Sequence, residues 1–182
     1  MEQISYTICR SHRKTLAIKI TREGVLVYAP YRVKEEVIHR FVESKRLWIE
    51  RKLEAQAKRP AYPPLSPEEL KTLRNQSRRV LPEKAAFFAK QLGVSYEKIA
   101  IRSQRTRWGS CSGKGNLNFN CLLMLTPESV QDYVVVHELC HLREMNHSPR
   151  FWHLVESILP GYLEEKAWLK KNGAALVERL PE

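Results

Sequence analysis

His137-Glu138-Leu139-Cys140-His141 constrains this chain more than any other stretch, because its letters make chemical sense only on a helix. On a helical wheel His141 falls about 40° from His137 and Glu138 about 100° from it, so the two imidazoles stand one above the other. Leu142, Val135, Leu139, Val136 and Cys140 fall on the opposite side. The pattern predicts a helix with an apolar back for a core and a polar front for a cleft. Two histidines so placed can hold one zinc ion, with the neighbouring glutamate set to act on a water.

A catalytic zinc takes three protein ligands and keeps one position open. On a continuous helix His147 points away from such an ion, so it serves only if the helix stops after about Glu144 and the chain turns back. Asn146 in a left-handed helix-ending conformation, followed by a fresh start at Ser148-Pro149, would supply that stop. Rivals for the third ligand are Glu144, placed too far along the helix axis, and His153, Glu156, Glu164 and Glu165 on later segments.

The rest of the chain reads as alternating local signals. Thr15–Thr21 and Val25–Ala29 have strand periodicity around a turn at Arg22-Glu23-Gly24, which predicts a small β-meander. From Lys34 to about Gln56, apolar residues recur at helical spacing and predict one helix. Residues 58–67 hold four prolines and read as a linker between an N-terminal part (1–57) and a second domain (68–182). Ser66-Pro67-Glu68-Glu69 is a capping-box start for a helix that runs to about Leu92, bent or broken at Pro82 and closed by Gly93. Residues 98–107 and 116–125 look extended. Thr126-Pro127 starts the metal helix, and Ser148-Pro149 another with a stripe of Phe151, Trp152, Val155, Ile158 and Leu159. Pro160-Gly161 precedes a last helix.

Composition narrows the functional classes. No run of about 18 apolar residues exists, so no membrane span is expected. The N-terminus lacks a secretory layout, and the four cysteines form no C-x-x-C pair, which together point to reduced thiols in the cytoplasm. The net charge of +11 is uneven: residues 1–60 and 61–125 each carry +7, and residues 126–182 carry −3. That basic front is compatible with DNA or another polyanion as partner.

Arg107-Trp108-Gly109-Ser110-Cys111-Ser112, the segment Tyr133–Leu142, and Asn146-His147-Ser148-Pro149-Arg150-Phe151-Trp152 together resemble the YgjP-like metallopeptidase family. These are small zincins of the minigluzincin type, related to the SprT and Spartan proteases. The resemblance covers nearly the whole chain. It implies an α+β, zincin-like catalytic domain with a small mixed sheet and an active-site helix. It also implies one Zn2+ on His137, His141 and His147, Glu138 as general base, and a protein or peptide substrate. A metzincin is disfavoured, because Glu144 stands where that group has glycine. Arg107 and Tyr162 are candidates to stabilise the developing oxyanion, and Asn116–Leu125 to pair with substrate as an edge strand. The Spartan relatives degrade DNA-crosslinked proteins, which makes DNA-associated substrates a further expectation. Two alternatives stay open: a nucleic-acid-binding module with structural zinc, and an inactive or latent zincin scaffold.

Overall fold

The computed structural model describes residues 4–21, 24–58 and 62–181. Two compact units meet in sequence between Pro60 and Ala61. The expected turn at Arg22-Glu23 and residues 59–61 of the expected linker lie outside the described residues.

The first unit holds β1 (Tyr6–Ser11), β2 (Ala17–Thr21) and β3 (Gly24–Pro30). Its strand order is β1-β3-β2, with β2 antiparallel and β1 parallel to β3. It is therefore not a meander. β3 carries Val25, Val27 and Ala29 inward, all buried, and so takes the central place with a partner on each side. These residues pack with Ile38, Val42 and Ile49 from the helical segment. That segment is two helices rather than the one expected, α1 (Glu35–Ser44) and α2 (Arg46–Ala57). Lys45 breaks them at φ −110°, ψ 8°, and the Ser44 hydroxyl donates to the Phe41 carbonyl at 2.7 Å, a local bond that competes with the helical ladder.

In the second unit α3 (Pro67–Leu92) starts with the reciprocal Ser66–Glu69 capping box and ends on Gly93 at φ 62°. It runs unbroken through Pro82. The missing backbone bond costs about 3 kcal/mol in an isolated helix. Leu73, Ser77, Leu81, Ala85, Phe88 and Leu92, buried on both sides of the proline, hold the axis together.

A second sheet follows: β4 (Lys98–Arg102), β5 (Gly109–Cys111) and β6 (Asn116–Asn120), in the order β4-β6-β5. β6 lies parallel to β4 and antiparallel to β5. The expected edge strand Asn116–Leu125 is thus the central strand, and its last five residues, Cys121–Leu125, form a 3-10 turn. The cause is local. The side-chain oxygen of Asn120 accepts the Leu122 N–H at 3.1 Å and caps the turn. Its amide donates to the Gln104 and Arg107 carbonyls, while its backbone N–H donates to Trp108. One buried asparagine therefore ties the 104–108 loop to the sheet.

Three helices complete the unit: α4 (Glu128–Cys140), α5 (Pro149–Ile158) and α6 (Tyr162–Val177). The core gathers Leu81 and Phe88 of α3, Leu117 and Phe119 of β6, Val134, Val135, Val136 and Leu139 of α4, and Phe151 of α5. The chain is α+β, as expected. Among the described residues no helix is long and apolar enough to cross a membrane.

Candidate metal centre

Helix α4 buries Val135, Val136, Leu139 and Cys140 completely, which turns His137, Glu138 and His141 to its other side. The helix ends at Cys140, one turn earlier than expected, and His141 is its C-cap. The backbone then tightens: Leu142 and Arg143 donate three residues back, to Leu139 and Cys140, each at 3.0 Å. Asn146 does not adopt the expected left-handed conformation, since no non-glycine residue described has a positive φ. Its side chain makes the corner instead, accepting the Ser148 N–H at 3.2 Å. Ser148 in turn caps α5 by accepting the Phe151 N–H at 3.3 Å. His147 sits inside this corner.

The result brings one ring nitrogen each of His137, His141 and His147 within 4.8 Å of one another. Among the described residues this is the one group of three His, Cys, Asp or Glu side chains close enough to share an ion. Nε2 of His147 lies 3.0 Å from Nε2 of His137. Bonds of about 2.0–2.1 Å in a tetrahedral zinc site separate its nitrogens by roughly 3.3 Å, so side-chain adjustment suffices to close the triangle on one ion. His141 Nδ1 lies 3.0 Å from the Glu144 carbonyl. With its proton there the ring donates to that oxygen and frees Nε2 to ligate. Nδ1 of His137 is buried with no hydrogen-bond partner.

Electrostatics favours the ligating form. Burial, reinforced by His141, His147 and Lys166, pushes His137 down to about 3, and burial followed by His141 and Lys166 lowers His147. Neutral imidazole is the form that binds a metal. Phe151, wholly buried, packs against all three rings at centroid distances of 4.9, 4.6 and 4.8 Å. Trp152 stacks on the exposed His147 at 5.6 Å and 22°.

Glu138 is 6% exposed. Burial pushes its carboxyl up to about 8, against the opposing pull of Arg107 and the Cys111 backbone N–H. A cation at the histidines would lower it again. Beside it lies Gly109, whose absent Cβ leaves the room: a methyl there would stand 2.6 Å from Glu138 Cγ and Oε1. The cleft, about 180 Å³, is lined by Trp108, Gly109, Tyr133, Val134, His137, Glu138 and Leu169.

Of the other expected residues, Arg107 is exposed, with its charge acting on Glu138 and its carbonyl held by Asn120. Tyr162 is buried, stacked between Tyr133 at 6.2 Å and Trp152 at 5.4 Å. Glu144 brings its backbone carbonyl rather than its carboxylate. His153 is exposed beside Glu156, at 3.9 Å, and neither they nor Glu164 and Glu165 belong to the cluster. Tyr133 and Gly109, which belong to the family-like motifs but carry no expected role of their own, also line the cleft. Tyr133 had a signal: it stands four residues before His137, on the same helix face.

Three histidines able to share an ion, one of them lining a cleft together with a buried carboxylate, form the donor set that a metal-dependent hydrolase requires. The chain belongs to the YgjP-like family: the model described as "YgjP-like, metallopeptidase domain" matches residues 14–73 and 68–172. Membership makes the protein a zinc metallopeptidase, with peptides or proteins as substrates. Among solved structures, the metallopeptidase zymogen abylysin of Pyrococcus abyssi is similar at 24% identity and a TM-score of 0.46, covering 50% of this chain and 94% of its own. The zymogen jannalysin of Methanocaldococcus jannaschii is similar at 18% identity and a TM-score of 0.43, covering 50% of this chain and 93% of its own. No curated protein matches the chain.

Proposed function

We propose that one zinc ion is held by His137, His141 and His147, and that Glu138 is the general base of peptide hydrolysis. The observation that carries this reading is the convergence of three ring nitrogens within 4.8 Å, with His137 lining the same cleft as the buried Glu138 carboxylate. When bound, zinc supplies Lewis acidity that polarises the scissile carbonyl and makes water a competent nucleophile near neutral pH. Glu138 accepts the proton of the attacking water and delivers it to the leaving amine. Its burial keeps competing bulk water away from that carboxylate.

Substrate backbone pairs with β5 rather than with β6, because β5 is the sheet edge next to Glu138. Arg107 keeps its place as the cation beside the developing oxyanion. Tyr162 acts through Tyr133, whose ring it supports and which itself lines the cleft. The alternative of a structural zinc is disfavoured, since such a site fills four positions with protein ligands and three are gathered among the described residues.

Two coarser features complete the proposal. The +7 carried by each of the segments 1–60 and 61–125 supports association with DNA-bound proteins. Cys9, Cys111, Cys121 and Cys140 are all free thiols, which supports a reducing, cytoplasmic setting.

The test compares wild type with Glu138→Gln for bound zinc and for cleavage of an unfolded protein, with and without single-stranded DNA. Both should bind one zinc, and the variant should lose at least about a hundredfold in rate. If both bind zinc and neither cuts, the catalytic reading is wrong. His147→Ala should lose most of its zinc affinity; tight binding would place the third ligand elsewhere. DNA association fails if no binding appears at low salt.

A further inference from the structure

A second, larger groove of about 290 Å³ lies beside the metal cleft and shares two walls with it, Trp108 and Leu169. Its floor continues along α6 through Gly173, Ala174 and Val177, while Arg107 stands on the lining contributed by the 105–108 loop. From these features we infer that the groove is a side-chain subsite for a bulky apolar residue of the bound peptide, close to the scissile bond. The inference rests on the peptidase reading of the metal site.

Three observations carry it. The groove shares Trp108 and Leu169 with the cleft that holds Glu138, and its Arg107-Trp108 side leads in sequence directly into Gly109, the first residue of β5. A peptide lying along that edge presents alternate side chains to one face, so a residue near the reacting bond is delivered to the groove. Next, the α6 side of the groove is lined by small and apolar residues, Leu169, Gly173, Ala174 and Val177. A methyl on Gly173 would come 3.1 Å from Trp108 Nε1 and 3.2 Å from Cζ2, so glycine lets the indole lie close against α6. Glycine inside a helix costs about 1 kcal/mol relative to alanine, and close indole packing is a physical reason to bear it.

The third observation is charge. Arg105, Arg107 and Glu178 also line the groove, which leaves an excess of one cation. Arg105 is fixed by donating to the Leu180 and Pro181 carbonyls at 2.7 and 2.8 Å. The subsite therefore accepts leucine, methionine or phenylalanine and discriminates against lysine and arginine.

Peptide selection on zinc-loaded Glu138→Gln protein tests this by binding, without requiring cleavage. Randomised short peptides should become enriched in a bulky apolar residue at one position and depleted in lysine and arginine there. In the same background Ala174→Leu fills the floor. It should weaken the selected peptide about tenfold and leave its glycine-substituted counterpart unchanged. Val177→Ala, which opens the floor, should shift selection toward phenylalanine and tryptophan, and it serves if Ala174→Leu does not fold. The inference is overturned if no apolar position emerges, or if the filling and opening variants leave the selection as it was. Failure of the peptidase reading looks different: the groove-dependent peptide binds, yet zinc-loaded wild type never cuts it.

Discussion

Replacing Gly109 by alanine should disable catalysis while leaving the metal in place. The added Cβ would stand 2.6 Å from both Cγ and Oε1 of Glu138 and 2.8 Å from Cδ. Ordinary carbon contacts are about 3.5–4.0 Å, so the carboxylate must retreat by roughly 1 Å. The backbone of Gly109 is not in the left-handed region, so the penalty comes from contact rather than from an unsuitable φ. Glu138 is the softer partner, being a side chain, but it is 6% exposed and has little free space to move into.

A misplacement of about 1 Å in a catalytic group costs on the order of a hundredfold in rate. That corresponds to about 2.7 kcal/mol in the activation barrier. Overpacking should lower stability by about 1–3 kcal/mol, so the assay belongs well below the melting temperature. The measurement is kcat/KM on a peptide substrate beside zinc stoichiometry for Gly109→Ala and wild type. Activity within about threefold of wild type would refute the argument, because Glu138 would then tolerate displacement or do no proton transfer. Loss of zinc would refute it differently, by showing that β5 supports the histidines as well as the carboxylate.

Metal-free protein should show a plateau of stability near pH 4.5–6.5. His137 titrates near 6.5 when unfolded and about 3 when folded, so its contribution is lost as pH falls below 6.5. Glu138 moves from 4.5 to about 8, so its contribution is full below 4.5 and is lost as pH rises through 8. Between 4.5 and 6.5 the two slopes cancel, and urea unfolding in a chelator across pH should fall away on both sides; a monotonic rise toward pH 8 would contradict this. Asn120→Ala should destabilise by about 2–4 kcal/mol, because it strips the Leu122 cap and leaves the Gln104 and Arg107 carbonyls without their donor. Denaturant unfolding reads that loss, and a change below about 1 kcal/mol would mean that water replaces the amide.

Signals held within a few residues were legible in the sequence. Ser66 and Glu69 answer each other across one helical turn, and Gly93 stops the same helix, so both ends of α3 are written locally. The apolar back of α4 is equally local. What periodicity could not give was a neighbour. β6 alternates as an edge strand would, yet it is central because β4 and β5 both pair with it, and no property of Asn116–Asn120 alone encodes two partners. The break at Lys45 and the continuity at Pro82 show the same competition from opposite sides. Buried neighbours override an unfavourable proline, whereas a polar Ser44-Lys45 junction lets one hydroxyl bond end a helix.

The corner that carries His147 shows how far such reasoning reaches. A helix stop followed by a fresh start was predictable from Ser148-Pro149, but the means differed: the Asn146 side chain, not a left-handed backbone, closes the turn. Either route turns the third imidazole back, so the expectation depended on the existence of a stop and not on its chemistry. Gly109 is the opposite case. Its effect lies in an atom it does not have, opposite a residue 29 positions later in the numbering. No wheel or spacing rule connects the two, because they meet only where β5 passes α4. A motif can therefore nominate a base on one helix, while the space that base needs is set by another strand and becomes visible only in three dimensions.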